Sequence, residues 1–446
     1  MFSKSDRLCN GLLLLGAIAA VLVATLMSAA SLDGDGALFC SVLVILYWLG
    51  ASALMIRFPI FRHLEHTVCA LIGLYLCLCL RLCLFDYISP DYVSFLSQWT
   101  ETMRGMSVRQ ALSTPIGDYN MPYLYLLLLI SRLPVYDLYC IKLVSILADV
   151  FLAMVMARLA SLVTRRPGLV LGAFFAALLA PTMVLNSAYW GQCDGIYAAF
   201  SLWGLYFGLK KRPVLSMTML AFAFAFKLQA VFLLPMVAFL LVRDHIKLRH
   251  LPVFPGVFLG LMLPALLAGR SLSDTFGIYL DQTDAYPYLS LNAPSLWSLI
   301  PNEYFGNLDP APVLFAGIVT LLLLFVFLRR YKQLTTKDLI SLSLLFTLAI
   351  PWLLPRMHER YFYLAELLSI LYVVQYPRRL PVAVIVLGGG FLAYCSYLFG
   401  GMRILSNELV AAIYGLTLLY LIPALLRSTD GRSRMHSPIK GGTSYE

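Results

Sequence analysis

The sequence predicts an all-α, polytopic membrane protein, and its composition and the spacing of its apolar runs carry that prediction. Hydrophobic residues make up 61% of the 446 residues, whereas only 13% are charged. A soluble domain is nearer to about half apolar. Apolar runs of about 17–20 residues alternate with short polar loops, and such runs suit helices that satisfy their backbone hydrogen bonds inside a bilayer.

The net charge of +10 is better explained by membrane topology than by nucleic-acid binding. Every second loop is rich in Lys and Arg, and the positive-inside rule places those loops in the cytoplasm. With residues 9–30 as a retained first span, rather than a cleaved signal peptide, we expect about fourteen spans with both ends inside. This number excludes residues 121–133, which we interpret as an interfacial or re-entrant helix because about 13 residues are too few to cross easily.

This topology places most of the unusual polar clusters on the side opposite the basic loops. The nine cysteines contain no C-x-x-C pair, so we predict neither a disulfide framework nor a zinc site. One shared site near the outer surface would explain the polar clusters, which are Asp86 with Asp91, W-G-Q-C-D at 190–194, F-K-L-Q at 226–229, Y-L-D-Q-T-D at 279–284 and M-H-E-R at 357–360.

The first cluster introduces a segment with Tyr92, Phe95, Leu96 and Trp99 at helical spacing. That pattern predicts an amphipathic helix that lies on the membrane surface. Asp91 at its start has two interpretations. It is either an N-cap that accepts hydrogen bonds from free backbone N–H groups, or a carboxylate that takes a proton from an acceptor hydroxyl.

Lys227 stands inside the apolar run A-F-A-F-A-F-K-L-Q-A-V. A lysine at mid-membrane costs about 2.5–3.5 kcal/mol on insertion scales. It either extends to the interface or binds an anion at membrane depth, for which a lipid phosphate is the first candidate. Gln192 and Asp194 are likewise either parts of a polar hairpin or hydrogen-bonding partners of a sugar or acceptor.

The stretch L-P-R-M-H-E-R-Y-F holds Arg356, His358, Glu359 and Arg360 within five positions. If the segment is helical, its two arginines share a face, and planar guanidinium groups bind phosphate through paired hydrogen bonds. His358 could donate to a phosphate oxygen, and Glu359 could orient an arginine. The alternative is an internal salt-bridge cluster that braces two helices.

In this order, the clusters resemble those of the GT-C superfamily of integral-membrane glycosyltransferases. The chain is most similar to bacterial Gpi18-like mannosyltransferases and shares features with the dolichyl-phosphate-glucose-dependent glucosyltransferases. Over roughly 86–368, the resemblance rests on S-P-D-Y at 89–92, D-Y-N-M-P-Y-L-Y at 118–125, I-L-A-D at 146–149, W-G-Q-C-D, F-K-L-Q and H-E-R.

The resemblance implies an enzyme that moves a hexose, mannose or glucose, from a polyprenyl-phosphate donor with inversion. The acceptor would be a hydroxyl of an extracytoplasmic lipid-linked glycan or of another cell-surface molecule, at the outer face of a bacterial plasma membrane. The family's catalytic base is an acidic residue of the first large external loop, which by position is Asp91. Two additional N-terminal spans, and Met121 in place of a proline, depart from the family pattern, so the donor sugar and acceptor are not fixed by it.

The predicted regions are three membrane helices (1–85), an external catalytic loop with interfacial helices (86–139), a membrane core (140–426) and a basic cytoplasmic tail (427–446). We expect Asp91 to be the base. The residues expected to hold the donor phosphate are Lys227, Arg356, His358 and Arg360. The residues expected to contact sugar or acceptor are Asp86, Asp118, Tyr119, Gln192, Asp194, Gln229, Asp284 and Glu359.

No cofactor is required by this scheme, because side chains alone can hold a departing phosphate. Asp86 and Asp118 could nevertheless supply ligands to a divalent metal. The rival hypothesis is a flippase or transporter of lipid-linked saccharides, which would also need buried Lys and Arg side chains. A polymerase of such saccharides is a third hypothesis. The substitution Asp91→Asn should separate a transferase from a flippase.

Overall fold

The computed structural model describes residues 36–61, 63–279, 287–402 and 404–435. Within these ranges the protein is almost entirely helical, and the strands there are the two-residue pair β1 (Ser290–Leu291) and β2 (Met357–His358). The predicted all-α membrane architecture is confirmed. The predicted first span (9–30), Asp284 and residues 436–446 of the tail lie outside the described residues.

We number the α-helices in chain order. They are α1 (Gly36–Arg57), α2 (Leu64–Leu82), α3 (Ser97–Arg104), α4 (Val108–Ser113), α5 (Met121–Ile130), α6 (Asp137–Val163), α7 (Pro167–Leu179), α8 (Pro181–Val184), α9 (Asp194–Leu209), α10 (Pro213–Phe226), α11 (Pro235–Val242), α12 (Val253–Ala268), α13 (Leu272–Phe276), α14 (Phe305–Leu308), α15 (Ala311–Leu328), α16 (Thr336–Leu353), α17 (Tyr363–Gln375), α18 (Leu380–Leu398) and α19 (Asn407–Met435).

Short turns of other geometry join or extend these helices. Tyr92–Leu96 and Leu185–Trp190 form wider π-helical turns. The 3₁₀ turns are Leu228–Leu233, Leu248–His250, Leu296–Leu299, Asn302–Tyr304, Tyr331–Gln333 and Pro377–Arg379.

The described residues contain eight helices long and apolar enough to cross a membrane, or nine if α7 and the segment after its 46° bend form one broken span. The predicted number of fourteen spans is not confirmed. Among the apolar runs included in that number, 214–226 and 230–242 do not form full-length spans. They instead form the 14-residue α10, and a 3₁₀ turn followed by the 8-residue α11. At about 1.5 Å per residue, such helices do not reach across about 30 Å of hydrocarbon.

Central and peripheral helices differ in burial. In both α6 and α16, 83% of the most apolar 18-residue window is buried, compared with 17% in α15 and 11% in the span Leu248–Ala268. The peripheral helices expose leucine and phenylalanine side chains such as Leu263, Leu321 and Phe325, as lipid-facing helices do. The core of the bundle therefore lies around α6 and α16.

Several elements begin or end around one point. The π-helical turn Leu185–Trp190 ends at Gly191, whose left-handed φ of +82° favours glycine, and α9 begins at Asp194. Lys227, just after α10, has extended backbone. The connection between α16 and α17 also reaches this point, since Arg360 within it lies 3.8 Å from Asp194. These interruptions leave a cavity among the helices.

Candidate active site

A cavity of about 520 Å³ unites residues from distant parts of the chain. It lies between the segment that leads from Asp91 into α3 and the connection that holds β2. The predicted site residues that line it are Asp91, Asp118, Tyr119, Gln192, Lys227, Gln229, Arg356, His358 and Arg360. The structure thus brings most of the predicted residues together in one place.

A larger open groove of about 880 Å³ lies along α3 away from these residues. Its charged side chains are paired with one another, because Arg104 lies 2.5 Å from Asp137 and 2.5 Å from Glu101. None of the predicted site residues lines this groove. The smaller cavity is therefore the candidate active site.

Asp91 is not the N-cap of its helix. The hydroxyl of Ser89 accepts a hydrogen bond from the backbone N–H of Tyr92 at 3.2 Å, as an N-cap residue does, and it also donates to the carbonyl of Trp190 at 2.8 Å. Pro90 follows at the first helical position, where proline is well tolerated. The carboxylate of Asp91 is therefore available for other partners.

Three side chains donate hydrogen bonds to Asp91. Its Oδ2 accepts from Nε1 of Trp190 at 3.0 Å and from Nε2 of Gln192, and its Oδ1 accepts from the hydroxyl of Tyr397. An ionised carboxylate has about four acceptor positions, so within the described residues one position stays open beside the cavity.

Lys227 and Arg360 line the cavity above two buried carboxylates. Nζ of Lys227 donates to Asp194 at 2.6 Å, and Nη1 of Arg360 donates to Glu359 at 2.9 Å. Asp194 also accepts from Asn186 at 2.8 Å and lies 3.8 Å from Nε of Arg360. Both acidic side chains are at most 1% exposed. Neither is in position for the direct sugar or acceptor contact expected from the sequence.

Trp190 connects the carboxylate to the cations. Its indole N–H donates to Asp91, and its ring lies 5.2 Å from the guanidinium carbon of Arg360 and stacks on Tyr397 at 4.8 Å. The side chain is fully buried. No local sequence pattern marked Trp190 as a partner of Asp91, and nothing in the apolar run around Tyr397 marked that residue.

The segment from Arg356 to Arg360 is not helical, so its arginines do not share a helical face. Arg356 has a left-handed φ of +62°, and its N–H donates to the carbonyl of Leu289 at 3.0 Å. Its guanidinium lies 3.3 Å from Asp309 and 4.9 Å from the ring centre of Phe305. The short β1–β2 pairing fixes the segment at the cavity.

His358 lines the cavity together with Lys227, Arg356 and Arg360. Burial and the positive charges of Arg360 and Lys227 hold the pKa of the imidazole well below its usual range. The side chain is therefore neutral near pH 7. It can donate one N–H hydrogen bond to an anion, but it contributes no charge of its own.

The remaining predicted residues are more dispersed. Asp118 follows Gly117 in a left-handed turn and is exposed at the cavity, whereas Asp86 lies apart and accepts a hydrogen bond from Tyr139 at 2.6 Å. The buried Oε1 of Gln229 lacks a hydrogen-bond partner among the described residues. Within the same ranges, no three His, Cys, Asp or Glu side chains form a group that could hold a metal ion.

The fold and the site define a polytopic membrane protein with a carboxylate and several cations around one cavity. Residues 119–355 match the model of glycosyltransferase family 87. Because this match covers more than half of the chain, the protein belongs to that family and is a glycosyltransferase of a GT-C-like membrane class. No curated protein sequence matches the chain.

Proposed function

We propose that the protein transfers a hexose from a polyprenyl-phosphate donor to an acceptor hydroxyl with inversion, and that Asp91 is the general base. The proposal rests on one observation. A carboxylate with an open acceptor position and the cations Lys227 and Arg360 line the same cavity, although they lie far apart in the sequence. A glycosyl transfer to a hydroxyl needs a base for the acceptor and positive charge for the leaving phosphate.

The reaction begins with the acceptor hydroxyl at the open position of Asp91. Its oxygen attacks the anomeric carbon while its proton passes to the carboxylate. The bond between the anomeric carbon and the phosphate oxygen breaks, and the electron pair leaves with the phosphate. Attack from the face opposite the leaving group inverts the anomeric centre. The bonds from Trp190, Gln192 and Tyr397 would hold the carboxylate in one orientation throughout.

The leaving group gains negative charge as it departs. A polyprenyl-phosphate sugar is a phosphodiester with one negative charge, whereas the product phosphate carries up to two. Lys227, Arg356 and Arg360 would stabilise this developing charge, and His358 would donate a neutral N–H. We assign Asp194 and Glu359 positioning roles instead of sugar contacts, because they hold Lys227 and Arg360 at the cavity wall.

Other residues of the wall would select the substrates. Gln229 and Tyr119 lie near Lys227 and are in place for hydroxyls of the donor sugar, and Asp118 lies at the exposed part of the cavity. Mannose and glucose are the candidate sugars, by resemblance. The acceptor would be a lipid-linked glycan or another cell-surface molecule at the outer face of a bacterial plasma membrane. Neither a cofactor nor a metal is required by these steps.

The test uses purified protein in proteoliposomes with radiolabelled polyprenyl-phosphate-mannose or polyprenyl-phosphate-glucose. Glycolipids extracted from the membranes in which the protein is native serve as acceptors. We expect label in the acceptor fraction with the wild type and with Asp86→Asn, whose carboxylate lies outside the cavity, but not with Asp91→Asn. A labelled lipid that crosses the bilayer chemically unchanged, equally well in Asp91→Asn, would instead identify a flippase.

A further inference from the structure

A row of residues extends from Asp91 along the interfacial segment. Asp91, Phe95 and Trp99 are spaced four residues apart, which places them along one side of a helix, and all three line the cavity. Phe95 is 43% exposed, and the cavity that it lines also holds polar side chains such as Asp91 and Gln192. The sequence predicted that Tyr92, Phe95, Leu96 and Trp99 would together face the membrane. Instead, Tyr92 and Leu96 are at most 7% exposed, and Phe95, Leu96 and Trp99 line the cavity.

The ring of Trp99 is held in position by its neighbours, and the ring of Phe95 lies beside it. The ring of Trp99 lies so close to Gly117 that a Cβ there would approach it to 2.9 Å, and Gly117 has a left-handed φ of +70°. The ring centre of Trp99 also lies 6.0 Å from that of Tyr119 and 5.9 Å from that of Phe95. The rings therefore form a preorganised wall beside the base.

This wall has the chemistry of a carbohydrate site. The face of an aromatic ring is electronegative and attracts the weakly positive C–H groups on one face of a pyranose. Asp118, next to Gly117 and also at the cavity, offers a carboxylate to sugar hydroxyls. Aromatic surface combined with a few polar groups is typical of small-molecule sites.

The alternative is that Phe95 and Trp99 anchor the segment at the membrane interface. Anchors should point away from the cavity. Near Asp91, the exposed apolar side chains that do not line the cavity are Ile88 and Val93, at 50% and 55% exposure. Those two residues are the better candidates for membrane contact.

We infer that Phe95 and Trp99 form an acceptor subsite for a saccharide, on which a pyranose ring stacks while one of its hydroxyls reaches Asp91. The inference rests on the proposed function and narrows it, because the acceptor is then a glycan rather than a protein or a simple lipid alcohol. Eight residues of helix span about 12 Å. The row is therefore long enough for more than one sugar ring.

The kinetic test compares full-length Trp99→Leu and Phe95→Leu with the wild type in the transfer assay. We expect the KM for the acceptor to rise about three- to tenfold in each variant, since an aromatic contact is lost. The KM for the donor should not change. Trp99→Phe should recover part of the loss because it keeps a ring, and Val93→Ala on the outward side should behave like the wild type.

The binding test uses saturation-transfer NMR on the protein in nanodiscs, with methyl mannoside, methyl glucoside and their disaccharides as probes. Transfer from wild-type protein to a disaccharide that falls in Trp99→Leu but not in Val93→Ala would support the subsite. If the wild type transfers sugar and Trp99→Leu leaves the acceptor KM unchanged, the subsite is refuted and the transferase stands. If the wild type transfers neither sugar, the proposed function fails and the acceptor role fails with it.

Discussion

Two buried ion pairs have nearly the same geometry but different surroundings. Lys227 lies 2.6 Å from Asp194, and Arg81 lies 2.9 Å from Asp149, with all four side chains at most 7% exposed. Lys227 nevertheless lines the cavity, whereas Arg81 and Asp149 are enclosed within the helix bundle. The comparison shows that a buried charged side chain indicates a functional site only where it also lines a cavity that a ligand can enter.

The enclosed pair has a structural task. Nη2 of Arg81 donates to the carbonyl of Leu178 at 2.8 Å, close to the bend after α7, while Ser187 donates to Asp149 at 2.6 Å. The pair therefore ties α2 and α6 to the broken span that leads to Trp190. Such pairs are costly to break but can often be replaced by apolar residues.

The largest expected effect is on stability. Arg81→Met should lower the free energy of unfolding by about 3–5 kcal/mol because it leaves Asp149 charged and buried. The double variant Arg81→Met with Asp149→Leu should recover most of that loss and retain transfer activity. Thermal unfolding in detergent, together with the transfer assay, checks both outcomes. A double variant that is stable but inactive would give the enclosed pair a role in catalysis.

The matched experiment on the cavity pair sharpens the contrast. Lys227→Met combined with Asp194→Leu should also keep the protein folded, but transfer should fall about 10²–10³-fold, because one preorganised cation of the leaving-group site is lost. The rate of transfer and the melting temperature are measured side by side with the Arg81 and Asp149 variants. Full activity in this double variant would show that Lys227 does not act on the phosphate.

Trp190→Phe should have an intermediate effect. Phenylalanine keeps a ring beside Arg360 but removes the N–H that donates to Asp91, and a hydrogen bond to a charged group contributes about 1.5–3 kcal/mol. We therefore expect kcat to fall about ten- to a hundredfold with little change in the donor KM. An equal rise in the donor KM would indicate instead that the change disturbs Arg360.

The smallest expected effect is on the pH dependence of donor binding. The low pKa of His358 results from burial and from the positive charges of Arg360 and Lys227. A bound phosphate offsets these positive charges and raises the pKa, so binding takes up protons. The Kd for the donor should therefore decrease a few-fold as the pH falls from about 8 to 5. In His358→Gln the Kd should vary less, and an unchanged pH profile would exclude this residue as the cause.

The sequence predicted the fold class because apolar runs are costly outside a membrane, but it could not give the number of spans. The contrast between α15 and α16 shows why the burial of each helix could not be predicted from the sequence either. The most apolar 18-residue window of α15 has a mean hydropathy of 2.7 and is 17% buried. The corresponding window of α16 has a lower mean hydropathy of 1.3 but is 83% buried. Lipid is as apolar as a protein core, so hydropathy does not separate lipid-facing from buried helices.

Site residues could be predicted where a charged side chain occurs next to apolar runs, as with Lys227 and Arg360. Whether each of them lines the cavity could not be predicted, because that depends on contacts between distant segments. Asp194 lies beneath Lys227 rather than on the wall, and Tyr397 contacts Asp91 across 306 positions of sequence. Neither arrangement leaves a local pattern.

The proposed function requires that Asp91 and the cations act on the same substrate in one cavity. The decisive experiment is single-turnover transfer by Asp91→Asn, measured together with donor binding. We predict a rate at least about 10²-fold below that of the wild type, which is the contribution expected of a general base, with the Kd for the polyprenyl-phosphate sugar unchanged. Transfer at the wild-type rate in Asp91→Asn would contradict the claim.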